Sequence, residues 1–144
     1  MSEYYLNPGL AQPAAMELDA PYWEGLTEGV LRVQQCGDCG GWQWGPEWIC
    51  HHCLSDNVTF TEVEPSGVIY SYERVWHPVH PALAEQGPYV VVLVELPQAG
   101  NIRMVGNLLG DPEAEVPIGA AVVGEFEHHL DAEPAFSLLH WRLQ

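Results

Sequence analysis

The chain has 144 residues, the size of one ordinary domain or two very small ones, which excludes a large multi-layer enzyme. Hydrophobic residues make up 47% of it, so it is predicted to fold rather than to form a disordered acidic tail. Its formal net charge is −16, with four arginines and no lysine, which argues against nucleic-acid binding and excludes Schiff-base catalysis by this chain alone.

The first predicted element is a short helix that follows an irregular arm of about a dozen residues. Asp19 is expected to cap the helix, Pro21 to lie in its first turn and Gly29 to end it. The segment 30–35 is predicted to be extended and to lead into a cysteine cluster. We therefore assign residues 1–32 to an amino-terminal arm and helix.

Two C-x-x-C pairs, Cys36 with Cys39 and Cys50 with Cys53, contain all the cysteines of the chain. Ten residues separate the pairs, and this spacing is typical of two knuckles that place four thiolates tetrahedrally around one Zn²⁺. Such a closed site leaves no position for water or substrate, so the zinc is predicted to be structural. Two disulfides, or a rubredoxin-type iron, are the alternatives that this pattern leaves open.

Three tryptophans, Trp42, Trp44 and Trp48, crowd the predicted ribbon, which we assign to residues 33–56. The ribbon is too small to bury three indoles within itself. They are expected either to pack against the rest of the protein or to form a partner-binding patch, since tryptophan is enriched in interface hot spots.

A run of short β-rich segments follows from residue 58 to residue 143, each bounded by Gly, Pro, Asn or Asp. Five or six strands without a helical crossover predict an antiparallel sandwich or a small closed barrel, which we assign to residues 57–144. The apolar run 89–96 is predicted to be a central strand covered on both faces. The predicted strands are 58–63, 67–76, 89–96, 101–109, 120–129 and 136–143.

His77 and His80 lie in the long proline-rich connection 77–88. Their H-x-x-H spacing would suit a metal or acid–base site, but no carboxylate or nucleophile lies at a spacing that fixes the geometry. We find no phosphate-binding loop, nucleophile elbow or dinucleotide fingerprint. The sequence therefore predicts no catalytic residue, and the two histidines are candidates for facing a partner or substrate.

The amino terminus has no basic segment followed by an apolar run, which favours a cytoplasmic protein. The longest strictly apolar run, 89–94, is far below the ~20 residues that a helix needs to cross a bilayer. No membrane span is expected.

In its ordered motifs, the chain resembles the acyl-CoA-associated proteins that join a short helix, a rubredoxin-like zinc ribbon and an OB-fold barrel. The resemblance covers roughly residues 19–143. The matching segments, in the order of the family, are 21–26, Cys36 to Gly40, Cys50 to Cys53, 66–72, 88–96, 105–108, 118–119 and 125–127.

This resemblance implies a mainly β fold with a short amino-terminal helix, a rubredoxin-like ribbon and a five-stranded antiparallel OB-fold barrel. It also implies a non-catalytic accessory subunit of a hetero-oligomer, whose partner is a thiolase-like aldolase of the sterol-carrier type or an acyl-CoA hydratase. The ligand of that complex would be a coenzyme A thioester, and the likeness is greatest to subunits serving bacterial steroid side-chain degradation. A stand-alone acyl-CoA or lipid carrier, or a subunit of a thiolase/synthase complex, is the alternative.

Overall fold

The computed structural model describes residues 4–144. It contains one short helix and eight strands, and these form two antiparallel sheets. In chain order they are α1 (Ala20–Glu28), β1 (Leu31–Cys36), β2 (Trp42–Gln43), β3 (Val58–Val63), β4 (Ser66–Val75), β5 (Tyr89–Leu96), β6 (Ile102–Asn107), β7 (Ala121–His129) and β8 (Phe136–Leu143).

The helix begins and ends where the sequence predicts, but its first turn is held differently. Gly29 adopts the left-handed conformation, at a φ of 78°, that ends a helix without a Cβ clash. Asp19 occupies the capping position, yet its side chain makes no cap hydrogen bond. Its Oδ1 instead accepts a hydrogen bond from the backbone N–H of Met16, at 2.7 Å, so the carboxylate orders the preceding turn.

The smaller sheet has the order β2–β1–β3 and carries the cysteine cluster. All six residues of β3 pair with β1. The segment 58–63, which we assigned with the barrel, therefore hydrogen-bonds to the ribbon, and it leads directly into β4. The division of the chain into a ribbon (33–56) and a barrel (57–144) remains a proposal.

The larger sheet has the order β6–β5–β4–β7–β8 and curls into a nearly closed five-stranded barrel, which confirms the predicted fold class. An isolated bridge between Leu108 and Trp141 joins its two edges, and the Leu109 N–H donates to the Trp141 carbonyl at 2.8 Å. Gly106 permits this closure, because a Cβ at that position would lie 2.7 Å from Trp141 Cδ1.

Strand β5 is central, but only one of its faces is fully buried. Its alternate residues Val90, Val92, Val94 and Leu96 are buried, whereas the residues between them are half-buried. The prediction that both faces are covered was wrong, because the outer wall of a small barrel meets solvent. Leu31 and Val33 of β1 belong to the same hydrophobic core as these residues, so the ribbon and the barrel share one interior.

Candidate metal centre and its surroundings

The fold brings the four cysteine thiols to one point. Their Sγ atoms all lie within 4.8 Å of one another. The Sγ atoms of Cys36 and Cys53 are 3.6 Å apart, as are those of Cys39 and Cys50. These separations are far longer than a disulfide bond of about 2.05 Å, and they are close to the ~3.8 Å between ligands in a tetrahedral zinc–thiolate site.

Backbone N–H groups point at the sulfur atoms from inside each knuckle. The N–H groups of Asp38 and Cys39 donate to Cys36 Sγ at 3.4 and 3.5 Å, and that of His52 donates to Cys50 Sγ at 3.4 Å. Hydrogen bonds to a charged acceptor favour the ionised form, so this backbone geometry suits thiolates.

Without a cation, the thiols cannot all ionise together. The backbone N–H of Cys39 is the main cause that lowers the pKa of Cys36 to about 7. The backbone N–H of Ser55 lowers the pKa of Cys53, but desolvation and the neighbouring thiols outweigh it and raise that pKa to about 12. A divalent metal removes this conflict, because coordinating thiols are deprotonated outright. The donor set fits structural zinc held by all four cysteines.

The segment 55–57, which follows the second knuckle, makes hydrogen bonds to both knuckles. The Cys50 N–H donates to the Ser55 carbonyl at 2.8 Å, and the Gly37 N–H donates to the Asn57 carbonyl at 2.7 Å. The side chains of Ser55 and Asn57 both donate to Asp38, and these hydrogen bonds lower its pKa. The cluster is therefore held by backbone contacts as well as by any metal.

Two buried glutamines support the second knuckle, and sequence analysis missed them. Gln34 donates to the Glu47 carbonyl at 2.8 Å, and Gln43 donates to the Ile49 carbonyl at 3.1 Å. Gln43 Oε1 also accepts from the His51 N–H, and the two glutamines bond each other. The sequence contained one signal for this support. Gln34 is a polar residue in the segment 30–35, which was predicted to be extended and to lead into the cysteines.

The structure separates the three tryptophans. Trp42 and Trp44 are half-buried and pack against the shared core, as expected for packing within the chain. Trp48 is 63% exposed, next to the exposed Ile49. Trp48 is therefore the one of the three tryptophans with most surface free for contact with another molecule.

The histidines named from the sequence lie outside the metal cluster. His77 and His80 are both exposed, and His80 Nδ1 accepts from the Ala82 N–H at 3.1 Å, at the start of a short 3₁₀ turn. His51 and His52 are exposed on the second knuckle. In the described part of the chain, only the four cysteines form a cluster of three or more possible metal ligands.

All four arginines of the chain already have partners. Arg32, Arg103 and Arg142 form ion pairs with glutamates at 2.6 to 2.9 Å, and Arg74 donates to the carbonyls of Pro112 and Ala114. Arg103 also lies 3.6 Å from the centre of the Tyr70 ring. The positive charges of the chain are therefore few, scattered and already close to acidic groups or carbonyl oxygens.

A second polar cluster is buried at the barrel end, and the sequence analysis did not identify it. Glu127 lies 3.1 Å from His129 and 3.5 Å from His140, and it accepts a hydrogen bond from the Tyr5 backbone N–H. Glu127 and His129 are two residues apart in β7, so they share a face of the strand. The sequence contained a signal for this cluster, because Glu127 and His129 are ionisable residues on one face of the predicted strand 120–129.

The fold and the metal centre together define a two-module protein in which a four-cysteine, rubredoxin-like ribbon is joined to an OB-fold barrel. Residues 23–59 match the profile of the ChsH2 rubredoxin-like zinc ribbon domain, and residues 60–127 match that of the ChsH2 C-terminal OB-fold domain. The chain belongs to this ChsH2 family.

The solved structures that resemble the chain include the following two. A chain of the structure described as "Ltp2-ChsH2(DUF35) aldolase" has 34% sequence identity and a TM-score of 0.76, over 92% of this chain and 98% of that one. A DUF35 protein of unknown function from Sulfolobus solfataricus has a TM-score of 0.61, over 89% of this chain and 86% of that one. Its 14% identity shows the fold alone.

One curated relative contains a similar sequence as part of a longer chain. A "Probable enoyl-CoA hydratase alpha subunit" of Thermomonospora curvata is 35% identical over 127 residues, which are 88% of this chain. The match spans only 38% of that relative's length. Among residues 4–144, the one α-helix has nine residues, and no helix could span a membrane.

Proposed function

We propose that this chain is a non-catalytic accessory subunit that binds and stabilises a thiolase-like aldolase of the sterol-carrier type acting on acyl-CoA. The reaction of the complex would be the retro-aldol cleavage of a β-hydroxyacyl-CoA in steroid side-chain degradation, with release of propionyl-CoA. The cytoplasm is its expected location. The observation that carries the proposal is the 34% identity over 98% of a chain of the Ltp2-ChsH2 aldolase structure.

The charges of the chain support separate roles for this subunit and its partner enzyme. Coenzyme A carries phosphates, which are usually bound by arginine or lysine. The four arginines present here already bind acidic groups or backbone carbonyls. The partner therefore supplies the cationic pocket in this proposal, and this acidic chain supplies shape and a docking surface.

The docking surface that we propose combines the ribbon with the connection 77–88. Trp48 on the ribbon is 63% exposed, Trp76 just before the connection is 52% exposed, and Val79 within it is 97% exposed. Large aromatic side chains of this kind dominate the energy of many interfaces. His77 and His80 are exposed in the same connection and belong to the proposed surface, and Trp42 and Trp44 would support the ribbon part of it through their packing on the core.

Replacing Trp76 with alanine is expected to weaken the complex with the aldolase. Loss of an interface hot spot costs about 2 kcal/mol, which corresponds to a roughly 30-fold higher dissociation constant. The purified chain and a thiolase-like aldolase would be mixed, and association would be measured by light scattering after size exclusion together with the retro-aldol rate. Trp48→Ala tests the ribbon in the same way.

Leu130→Ala is the matched control, because Leu130 is 58% exposed in the turn between β7 and β8, outside the proposed surface. This variant is expected to bind like the unmodified chain. Absence of a complex and of any rate effect with the unmodified chain would refute the accessory role. Equal affinities for all four proteins would refute only the docking surface.

The alternative function is a stand-alone acyl-CoA or lipid carrier, and a groove beside the connection 77–88 favours it. His80 and Leu83 of that connection line one side of a cavity of about 560 Å³. Titration of the isolated chain with an acyl-CoA decides between the two, because micromolar binding without the partner is expected only of a carrier. A subunit of a hydratase or of a thiolase/synthase complex would instead associate with that enzyme in the mixing experiment.

A further inference from the structure

The second knuckle of the ribbon, residues 47–54, presents large apolar side chains to solvent. Trp48 is 63% exposed, Ile49 is 45% exposed and Leu54 is 71% exposed. The Leu54 N–H donates to the Cys50 carbonyl at 2.8 Å, so the backbone of Leu54 lies beside the residue that follows Ile49. These three residues therefore form one exposed apolar segment at the knuckle, which we call the knuckle patch.

The backbone of Leu54 adopts a conformation that is unfavourable for leucine. Its φ is 65°, in the left-handed region that residues with a Cβ rarely adopt. The first knuckle has Gly40 at the equivalent position, directly after its second cysteine, with a φ of 73°. Burial within this chain does not compensate for the strain at Leu54, because most of its side chain is exposed. Strain of this kind is concentrated at functional sites.

The loop that carries Trp48 is held in place by the two buried glutamines. Gln34 accepts a hydrogen bond from the Glu47 N–H at 3.0 Å and donates one to the Glu47 carbonyl at 2.8 Å. Gln43 donates to the Ile49 carbonyl at 3.1 Å, so the backbone is fixed on each side of Trp48. A surface that is ordered before binding loses less conformational entropy when a partner binds.

The charges beside the knuckle patch are all negative. From residue 33 to residue 73 the sequence has no arginine or lysine. Glu47 directly precedes Trp48, and Asp56 follows Leu54 by two residues. Both acids are exposed, and within residues 4–144 neither belongs to an ion pair. An apolar patch with an acidic border complements an apolar pocket with a basic border.

We propose that the knuckle patch is a preformed anchor that binds in an apolar pocket bordered by arginine or lysine on the partner enzyme. This inference rests on the proposed function for the existence of that enzyme. It specifies which part of the ribbon enters the partner and which chemistry receives it. It also explains why an exposed leucine occupies a left-handed position and why two buried glutamines fix the loop in front of them.

Leu54→Asn tests the anchor, because asparagine tolerates the left-handed conformation but removes the apolar side chain. The affinity of this variant for a thiolase-like aldolase, measured by biolayer interferometry, is expected to fall about tenfold. Its unfolding temperature should equal or exceed that of the unmodified chain, since the strain is relieved. Leu130→Asn is the matched control, because Leu130 is 58% exposed in the turn between β7 and β8. It should bind like the unmodified chain.

Glu47→Gln combined with Asp56→Asn tests the basic border of the pocket. This double variant is expected to associate about threefold more slowly at low salt, and its association rate should depend less on ionic strength. Asp131→Asn combined with Glu133→Gln removes the same charge from exposed positions between β7 and β8, and it should have a smaller effect. Equal effects of the two double variants would overturn the proposed basic border.

Hydroxyl-radical footprinting of the unmodified complex gives a measurement that needs no variant. The knuckle patch is expected to be protected in the complex, whereas Leu130 should react as in the free chain. An unprotected patch, unchanged affinity of Leu54→Asn or a lower unfolding temperature of that variant would each overturn this inference and leave the accessory role intact. Absence of a complex with the unmodified chain would refute the accessory role, and this inference with it.

Discussion

Cys39→Ser is expected to unfold the zinc ribbon while leaving the barrel folded. Structural zinc sites contribute on the order of 10 kcal/mol to the folding of small modules, and serine provides no thiolate. Apart from the metal, the two-residue strand β2 and the two knuckles are held mainly by local hydrogen bonds, whereas β5 is hydrogen-bonded on both sides within the barrel. Hydrogen exchange should therefore show fast exchange at residues 36–55 and continued protection in β5. Metal analysis of the pure variant should find less than one zinc per chain.

His51→Ala is the control for this experiment, because His51 lies between Cys50 and Cys53 and is exposed. It should keep one zinc per chain and the protection of the parent, since its ring is not in the cysteine cluster. A ribbon that stays protected in Cys39→Ser would contradict the structural role of the metal. One iron per chain with a visible absorption band in the unmodified protein would instead support the rubredoxin-type alternative.

Trp141→Ala is expected to cost about 3–5 kcal/mol of unfolding free energy, the range for loss of a buried large aromatic side chain. Trp141 is 1% exposed, and its ring lies directly over Gly106, where the edges of the barrel meet. Loss of the indole opens a cavity at this closure. Since a domain of this size has only about 5–15 kcal/mol in total, a large part of the stability would be lost. Urea denaturation followed by circular dichroism measures the change.

Trp48→Ala provides the matched comparison, because it removes the same side chain from an exposed position. Its unfolding free energy should stay within about 0.5 kcal/mol of the parent. A cost below about 1 kcal/mol for Trp141→Ala would mean that the indole does not hold the closure together.

Much of the local structure was predictable because it depends on residues close together in the chain. The two C-x-x-C pairs identify the zinc ligands, since each knuckle is a turn of four residues. Gly29 ends the helix as predicted, and 89–96 and 136–143 are strands with the predicted bounds. The surroundings of the metal centre could not be predicted in this way. Whether Trp42 and Trp48 are buried depends on how the ribbon packs on the barrel, and no local sequence pattern specifies that packing.

By itself, the sequence determined which four cysteines form the cluster, the β character of the chain and its strongly acidic charge, because residue types and short spacings decide all three. Only the tertiary structure decided that β3 pairs with the ribbon sheet, that β5 has one half-exposed face and that Glu127 meets His129 and His140. These features join segments far apart in sequence. The free energy of burying their shared surfaces selects such pairings, and it is a property of the packed chain rather than of any one segment.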